Sequence, residues 1–155
     1  MKIGVISDTH GYLDPRVEGL FQGVDHILHA GDIGYASIIL ELEFIAPVTA
    51  VLGNNDADLS FNFKETQCVQ LGGKKILVHH IVNPRELSDR ISSRITREKP
   101  DLVVFGHSHK PYSDTLNGVM FFNPGYAGKP KFGAERSVAL LEIDEKGIRP
   151  KFIRL

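Results

Sequence analysis

Tryptophan is missing from this 155-residue sequence, cysteine occurs once and methionine twice. The lone Cys68 cannot close a disulfide within the chain. Long apolar runs are also missing: Met1 to Ile6 leads straight into polar Ser7-Asp8, too short for a signal peptide or a membrane span. The expectation is a cytoplasmic protein with no membrane contact. Neither charge sign dominates, because 18 Lys+Arg face 19 Asp+Glu and leave a formal net charge of -1. That balance gives no general pull toward nucleic acid, although a local patch could still hold a phosphate. No stretch of Pro, Ser, Gly or like charge is long enough to be a linker, and no segment repeats. Apolar residues at 42% and charged residues at 24% exclude collagen-like, mucin-like and disordered classes. The expectation is one globular domain over residues 1–155. What the chain does have is seven histidines.

Short apolar runs ended by polar residues occur at Lys2 to Ile6, Val24 to His29, Pro47 to Leu52, Lys75 to Val78 and Leu102 to Phe105. Such runs suit strands buried on both faces. Helical patterns lie between them at Pro15 to Phe21, Ala36 to Phe44 and Pro84 to Glu98, the last with Leu87, Ile91 and Ile95 four residues apart. Alternating strand and helix implies parallel pairing with crossovers. The period then changes. Tyr112 to Leu116 and Val119 to Asn123 flank an Asn117-Gly118 hairpin turn, and Ser137 to Ile143 and Ile148 to Ile153 form a second pair. A β-rich C-terminal part packed on an α/β N-terminal part predicts an α/β sandwich of two sheets with helices outside.

In open α/β sheets ligands gather at the carboxyl ends of strands. Here those ends carry Asp8 and His10, Gly31-Asp32, Gly53-Asn54-Asn55-Asp56, His79-His80, and Gly106-His107-Ser108-His109. Taken singly, the pieces have plain explanations: Asp-x-His can cap a helix, and Gly-Asp or Gly-Asn can be a turn. His-x-His is more telling, since alternate residues of an extended chain point the same way and two imidazoles converge. Carboxylate, carboxamide and imidazole at five strand ends together point to a divalent transition metal.

That ordered set resembles the calcineurin-like metallophosphoesterase family from Lys2 to about Gly125, and Asn123-Pro124-Gly125 without a cap is similar to its small bacterial and archaeal phosphodiesterases. The resemblance implies a four-layer α/β/β/α sandwich of two mixed sheets. It implies that Asp8, His10 and His109 bind one metal, Asn54, His79 and His107 a second, and Asp32 both. Two divalent transition metal ions are implied, manganese first, with iron, zinc, nickel or cobalt as substitutes. Such a pair generates a bridging hydroxide nucleophile and clamps an in-line displacement at a phosphoester substrate. Asn54 and Asn55 would orient the phosphate. The implied reaction is phosphodiester hydrolysis; the alternatives are a phosphomonoesterase and a non-catalytic metal-binding scaffold, as in the eukaryotic retromer subunit of this fold.

Three positions depart from the family. Asn55 stands where many members have a histidine near the leaving group and small phosphodiesterase-like members often have a cysteine; a carboxamide cannot serve as a general acid. His80 stands where a glycine usually follows the histidine ligand. On an extended segment it points away from His79 and packs elsewhere, whereas a turn starting at His80 would let it replace the missing acid. Tyr126 replaces a common serine and either lines the substrate mouth or covers it from the side. His29 reads as a hydrogen-bond partner of the site or a satisfied core residue, His26 as surface, and Lys129, Lys131 and Arg136 as solvated loop charges. The apolar C-terminal strands could offer a homo-oligomer edge.

Overall fold

The computed structural model describes residues 1–155. Six strands and three short α-helices are interleaved along the first two thirds of the chain: β1 (Lys2–Ile6), α1 (Arg16–Leu20), β2 (His26–His29), α2 (Ala36–Glu43), β3 (Val48–Ala50), β4 (Thr66–Leu71), β5 (Lys74–His79), α3 (Asp89–Glu98) and β6 (Leu102–Val104). Four strands then follow one another: β7 (Tyr112–Leu116), β8 (Val119–Asn123), β9 (Ser137–Asp144) and β10 (Gly147–Arg154).

They form two mixed five-stranded sheets, ordered β10-β9-β1-β2-β3 and β4-β5-β6-β8-β7. In each, strands from the alternating region pair in parallel and hairpin strands add antiparallel neighbours. Ile3, Val5, Leu28, Val51, Ile76, Val78, Val104, Phe122 and Leu141 fill the space between the sheets. The outer face of the first sheet packs Ile6 and Ile27 against Val17, Phe21, Ile39 and Leu42 of α1, α2 and their ends. On the second sheet Leu77, Val103 and Phe121 meet Ile95 of α3. These are the four layers expected from the sequence.

Two local readings change. The helix expected from Pro84 starts at Asp89, because Asn83 diverts the chain: its side chain accepts the Arg85 N–H at 3.2 Å and its carbonyl the Glu86 N–H at 3.1 Å. Ser88 then caps the helix by accepting the Ile91 N–H. Strand β4 was not anticipated. It is a half-buried edge strand, so its apolar residues are few, yet Gly72-Gly73 between it and β5, both at positive φ, is a hairpin signal.

Candidate metal centre

Asp8, Asp32, Asn54, His80, His107 and His109 all follow strand ends at one edge shared by the two sheets. Backbone bonds lace the loops together: the Asp8 N–H donates to Gly31 O, His10 to Asp32 O and Gly11 to Ile33 O, at 3.0, 2.9 and 2.7 Å. Asp56, buried, accepts from the amides of Ile33, Gly34 and Gly53 at 2.8–2.9 Å and ties a third loop to the second. Asn123 does the same on the other sheet, donating to Gly106 O at 2.7 Å and accepting from Gly125 N–H at 2.8 Å. Asn123-Pro124-Gly125 thus holds the His107 loop.

This lacing forces unusual backbone. Of the seven non-glycine residues with positive φ, five are Asp8, His10, Asp32, His107 and His109; the others are Lys99 and Asn117. Left-handed backbone costs a non-glycine residue about 1–2 kcal/mol. It is retained where the surrounding bonds determine it.

Two groups of side chains converge: Asp8, His10 and His109, and Asp8, Asp32 and His80, with each group's candidate donor atoms within 4.8 Å of one another. His107 joins through ring contact with His80, 5.4 Å between centroids, and its Nδ1 lies 3.0 Å from Asn54 Oδ1. His80 Nε2 lies 3.5 Å from Asp32 Oδ2 and 3.9 Å from Asp8 Oδ1. Its Nδ1 donates to Ala30 O at 2.7 Å, which leaves Nε2 as the acceptor atom of the neutral ring and aims it at the carboxylates.

The residues fit a cation. Asp8 Oδ2 accepts from Ser7 Oγ and from the His107 amide, but Asp8 Oδ1 and His80 Nε2 are buried and make no hydrogen bond. Buried polar atoms are nearly always bonded, so two unbonded donors 3.9 Å apart at the buried carboxylates suit cation binding. Glycines make the room. A Cβ on Gly106 would lie 2.7 Å from Asp8 Oδ2, one on Gly31 2.7 Å from His80 Nδ1, and one on Gly53 would collide with Asp32. Burial pushes the Asp8 carboxyl up, against the Ser7 bond and the nearby histidines. At Asp32 burial is outweighed by His80 and by the Asn55 amide and carboxamide, which hold the carboxyl below its usual range. His80 is held above its ordinary value, because Asp32 and Asp8 outweigh the cost of burial.

The assignment of His79 as a ligand is corrected by this geometry. On β5, Ile76 and Val78 face the space between the sheets and Leu77 the α3 side, so His80 continues the inner face and His79 the outer. His79 Nδ1 is engaged by Thr66 Oγ1 and Glu65 O at 2.8 and 3.0 Å. The idea that His80 replaces a missing acid finds no support either, since its Nε2 sits among the candidate ligand atoms Asp8 Oδ1 and Asp32 Oδ2. The two histidines do point to opposite faces, and it is His80 that faces the carboxylates.

Asn55 donates from its amide and carboxamide to the two oxygens of Asp32 at 2.9 and 2.7 Å. Tyr126 does not line the mouth with its hydroxyl: it is buried, donates to Lys129 O at 3.1 Å and stacks on His109 at 4.8 Å. His29 is fully buried, receiving the Gly31 N–H at Nδ1 and reaching Thr9 Oγ1 at 2.9 Å with Nε2. It belongs to the support of two ligand loops. His26 bonds Thr49 across β2 and β3. Arg136 is buried, not solvated, and bonds Asp14 and Gly128 O. The support roles of Asp56 and Arg136 had no sequence signal, because neither lies in a recognisable spacing with its partners.

No helix is long and apolar enough to cross a membrane. A family described as the calcineurin-like phosphoesterase superfamily domain matches residues 1–146. The chain is 32% identical to a protein named a probable metallophosphoesterase from Methanothermobacter thermautotrophicus, over 99% of this chain and 92% of the relative. It is 30% identical to a phosphodiesterase of Escherichia coli K12, over 93% and 89%. Vps29 of Chaetomium thermophilum superposes with a TM-score of 0.78 at 19% identity, over 100% of this chain and 95% of the other, which shows a shared fold.

Proposed function

Since this chain belongs to the calcineurin-like phosphoesterase superfamily, we propose that it hydrolyses phosphodiesters with the help of two divalent transition-metal ions, manganese first. Asp8, His10 and His109 would hold one ion, Asn54, His80 and His107 the other, and Asp32 both. When bound, the ions supply Lewis acidity that lowers the pKa of water and draws in the phosphoryl oxygens. Nitrogen and oxygen donors without thiolate suit manganese, iron, zinc, cobalt or nickel. The observation that carries this reading is the pair of buried, unbonded donors, Asp8 Oδ1 and His80 Nε2, 3.9 Å apart beside the Asp32 carboxylate that would serve both ions.

The chain's own residues do the rest. The Ala30 carbonyl and the Ser7 hydroxyl fix the orientations of His80 and Asp8. Asn55 keeps Asp32 ionised and in place. It brings no proton to the leaving group, and neither does His80, so the leaving oxygen departs without an acid from these positions. Turnover should therefore fall steeply as the leaving group becomes more basic, because the 10²–10⁴-fold that a positioned acid typically contributes is missing. The phosphodiesterase name of the relative that is 30% identical supports the choice of diester over monoester.

The test is hydrolysis of bis(p-nitrophenyl) phosphate and p-nitrophenyl phosphate by metal-free protein reconstituted separately with Mn, Ni, Zn and Mg. We expect Mn-dependent turnover with the diester preferred, lost in Asp32→Asn. Preference for the monoester would make it a phosphomonoesterase. Two bound ions per chain with neither compound hydrolysed would make it a metal-binding scaffold.

A further inference from the structure

Beside the metal centre, on the second sheet's side, a cleft of about 240 Å³ is walled by Asn54, His79 and His80 and by Glu65 and Arg90. Glu65 and Arg90 are also walls of an adjoining cleft of about 530 Å³, which adds Lys64, Arg94 and Arg97 and has no hydrophobic residue. The Glu65–Arg90 pair therefore stands between the candidate ligands and a basic groove between α3 and the start of β4.

The groove's charge follows from the helix pattern. Arg90, Arg94 and Arg97 are spaced four and three residues apart on α3, one face of the helix, while Ile91 and Ile95 turn to the sheet. Like charges at that spacing destabilise a helix slightly, so this face has a cost that packing does not explain. Glu65 is the single acid in either cleft, and it pairs with Arg90 at 2.6 Å between side chains that are both more than half exposed. Such a pair contributes little and exchanges readily for another anion. Arg97 reaches Glu98, its own neighbour. Arg94 Nε is buried and has no hydrogen-bond partner, although a guanidinium's donors normally find one. Lys64 completes the wall. This local patch exists in a chain whose net charge is -1, where no overall field would gather anions.

We propose that this groove binds a second phosphate of the substrate, so that the preferred substrate is a phosphodiester carrying a further phosphate group on one side, as in a short nucleotide chain. The proposal rests on the phosphodiesterase reading of the metal centre. Arg94 and Arg97 supply the planar donor pairs that match phosphate oxygens, and Arg90, released from Glu65, sits between them and the reacting bond. None of these residues is placed among the metal ligands.

The matched probes are thymidine 5′-(p-nitrophenyl phosphate) with and without a 3′-phosphate, which share one scissile bond and release the same chromophore. We expect KM for the 3′-phosphorylated probe to be at least tenfold lower, with kcat alike. The double variant Arg94→Gln, Arg97→Gln should erase that difference and leave the unphosphorylated probe unaffected. Equal KM values in the wild type, or a variant that alters both probes alike, would overturn the proposal while the diesterase reading stands. Should neither probe turn over, the diesterase reading fails, and binding decides the groove separately. Calorimetry on metal-free protein should show thymidine 3′,5′-bisphosphate binding more tightly than thymidine 5′-monophosphate, with the difference lost in the double variant. Equal affinities would overturn the groove on that measurement alone.

Discussion

His79 and His80 are identical side chains one residue apart, and the pleat of β5 sends them to opposite sides of the second sheet. Their replacements should differ accordingly. His80→Ala should lower turnover by at least about 10²-fold, the scale expected when a metal's holder is lost, and reduce bound Mn below two per chain by elemental analysis. His79→Ala should keep both ions. Equal metal loss in the two variants would contradict the assignment. His29 offers a test of a different kind. Burial holds its imidazole down at about 3, so the folded protein keeps it neutral while the unfolded chain binds a proton near 6.5. Between those values the unfolded state carries more protons, so stability declines as pH falls below about 6.5 and the loss levels off near 3. In chelator, urea midpoints at pH 7.5 and 4.5 should differ less for His29→Gln than for the wild type. At this scale the sequence displayed the metal-binding residue types but not their directions. Asp8-x-His10, Asp32, Asn54 and the His107/His109 pair could be picked out as candidates because strand ends carry them, whereas preferring His80 to His79 required knowing which face of β5 is covered by the other sheet.

Among the elements, α3 shows how local rules and packing share the work. Its start is set by Ser88 and its end by Lys99, which adopts left-handed backbone at φ 49° and donates its N–H to Ile95 O at 2.8 Å. Glycine takes that conformation without a Cβ penalty, so Lys99→Gly should stabilise the protein by about 0.5–1 kcal/mol in urea unfolding. A destabilised variant would mean that the lysine side chain contributes something its backbone geometry does not. The Asn117-Gly118 hairpin could be read directly, because both residues adopt the positive φ that such a turn requires. β4 could not be read so easily: Thr66-Gln67-Cys68-Val69-Gln70-Leu71 is an edge strand with no fully buried residue, and an apolar pattern marks only what is covered.

At the scale of the whole molecule, the two sheets are joined by apolar packing along most of their length and by polar loops at one edge. Asp8, Asp32 and His80 are buried at that edge, so a cation held there would be linked to folding. A ligand held only by the folded state at one hundred times its Kd adds about 2.7 kcal/mol, which for a chain of this size is roughly 5–10 °C in Tm. Metal-free protein should melt that much lower than protein in excess Mn, and Asp32→Asn should lose most of the difference. The sequence by itself determined the layers and the chemical kind of the site, because apolar period, turn residues and ligand types at strand ends are local properties written residue by residue. Only the tertiary structure decided which histidine faces the centre, that Asp56, His29 and Asn123 hold its loops, and that Arg90 of α3 walls both the cleft beside it and the adjoining one that Arg94 and Arg97 line. Those facts depend on which strand lies beside which and which face is covered, and such contacts join residues far apart in the chain, where no local period records them.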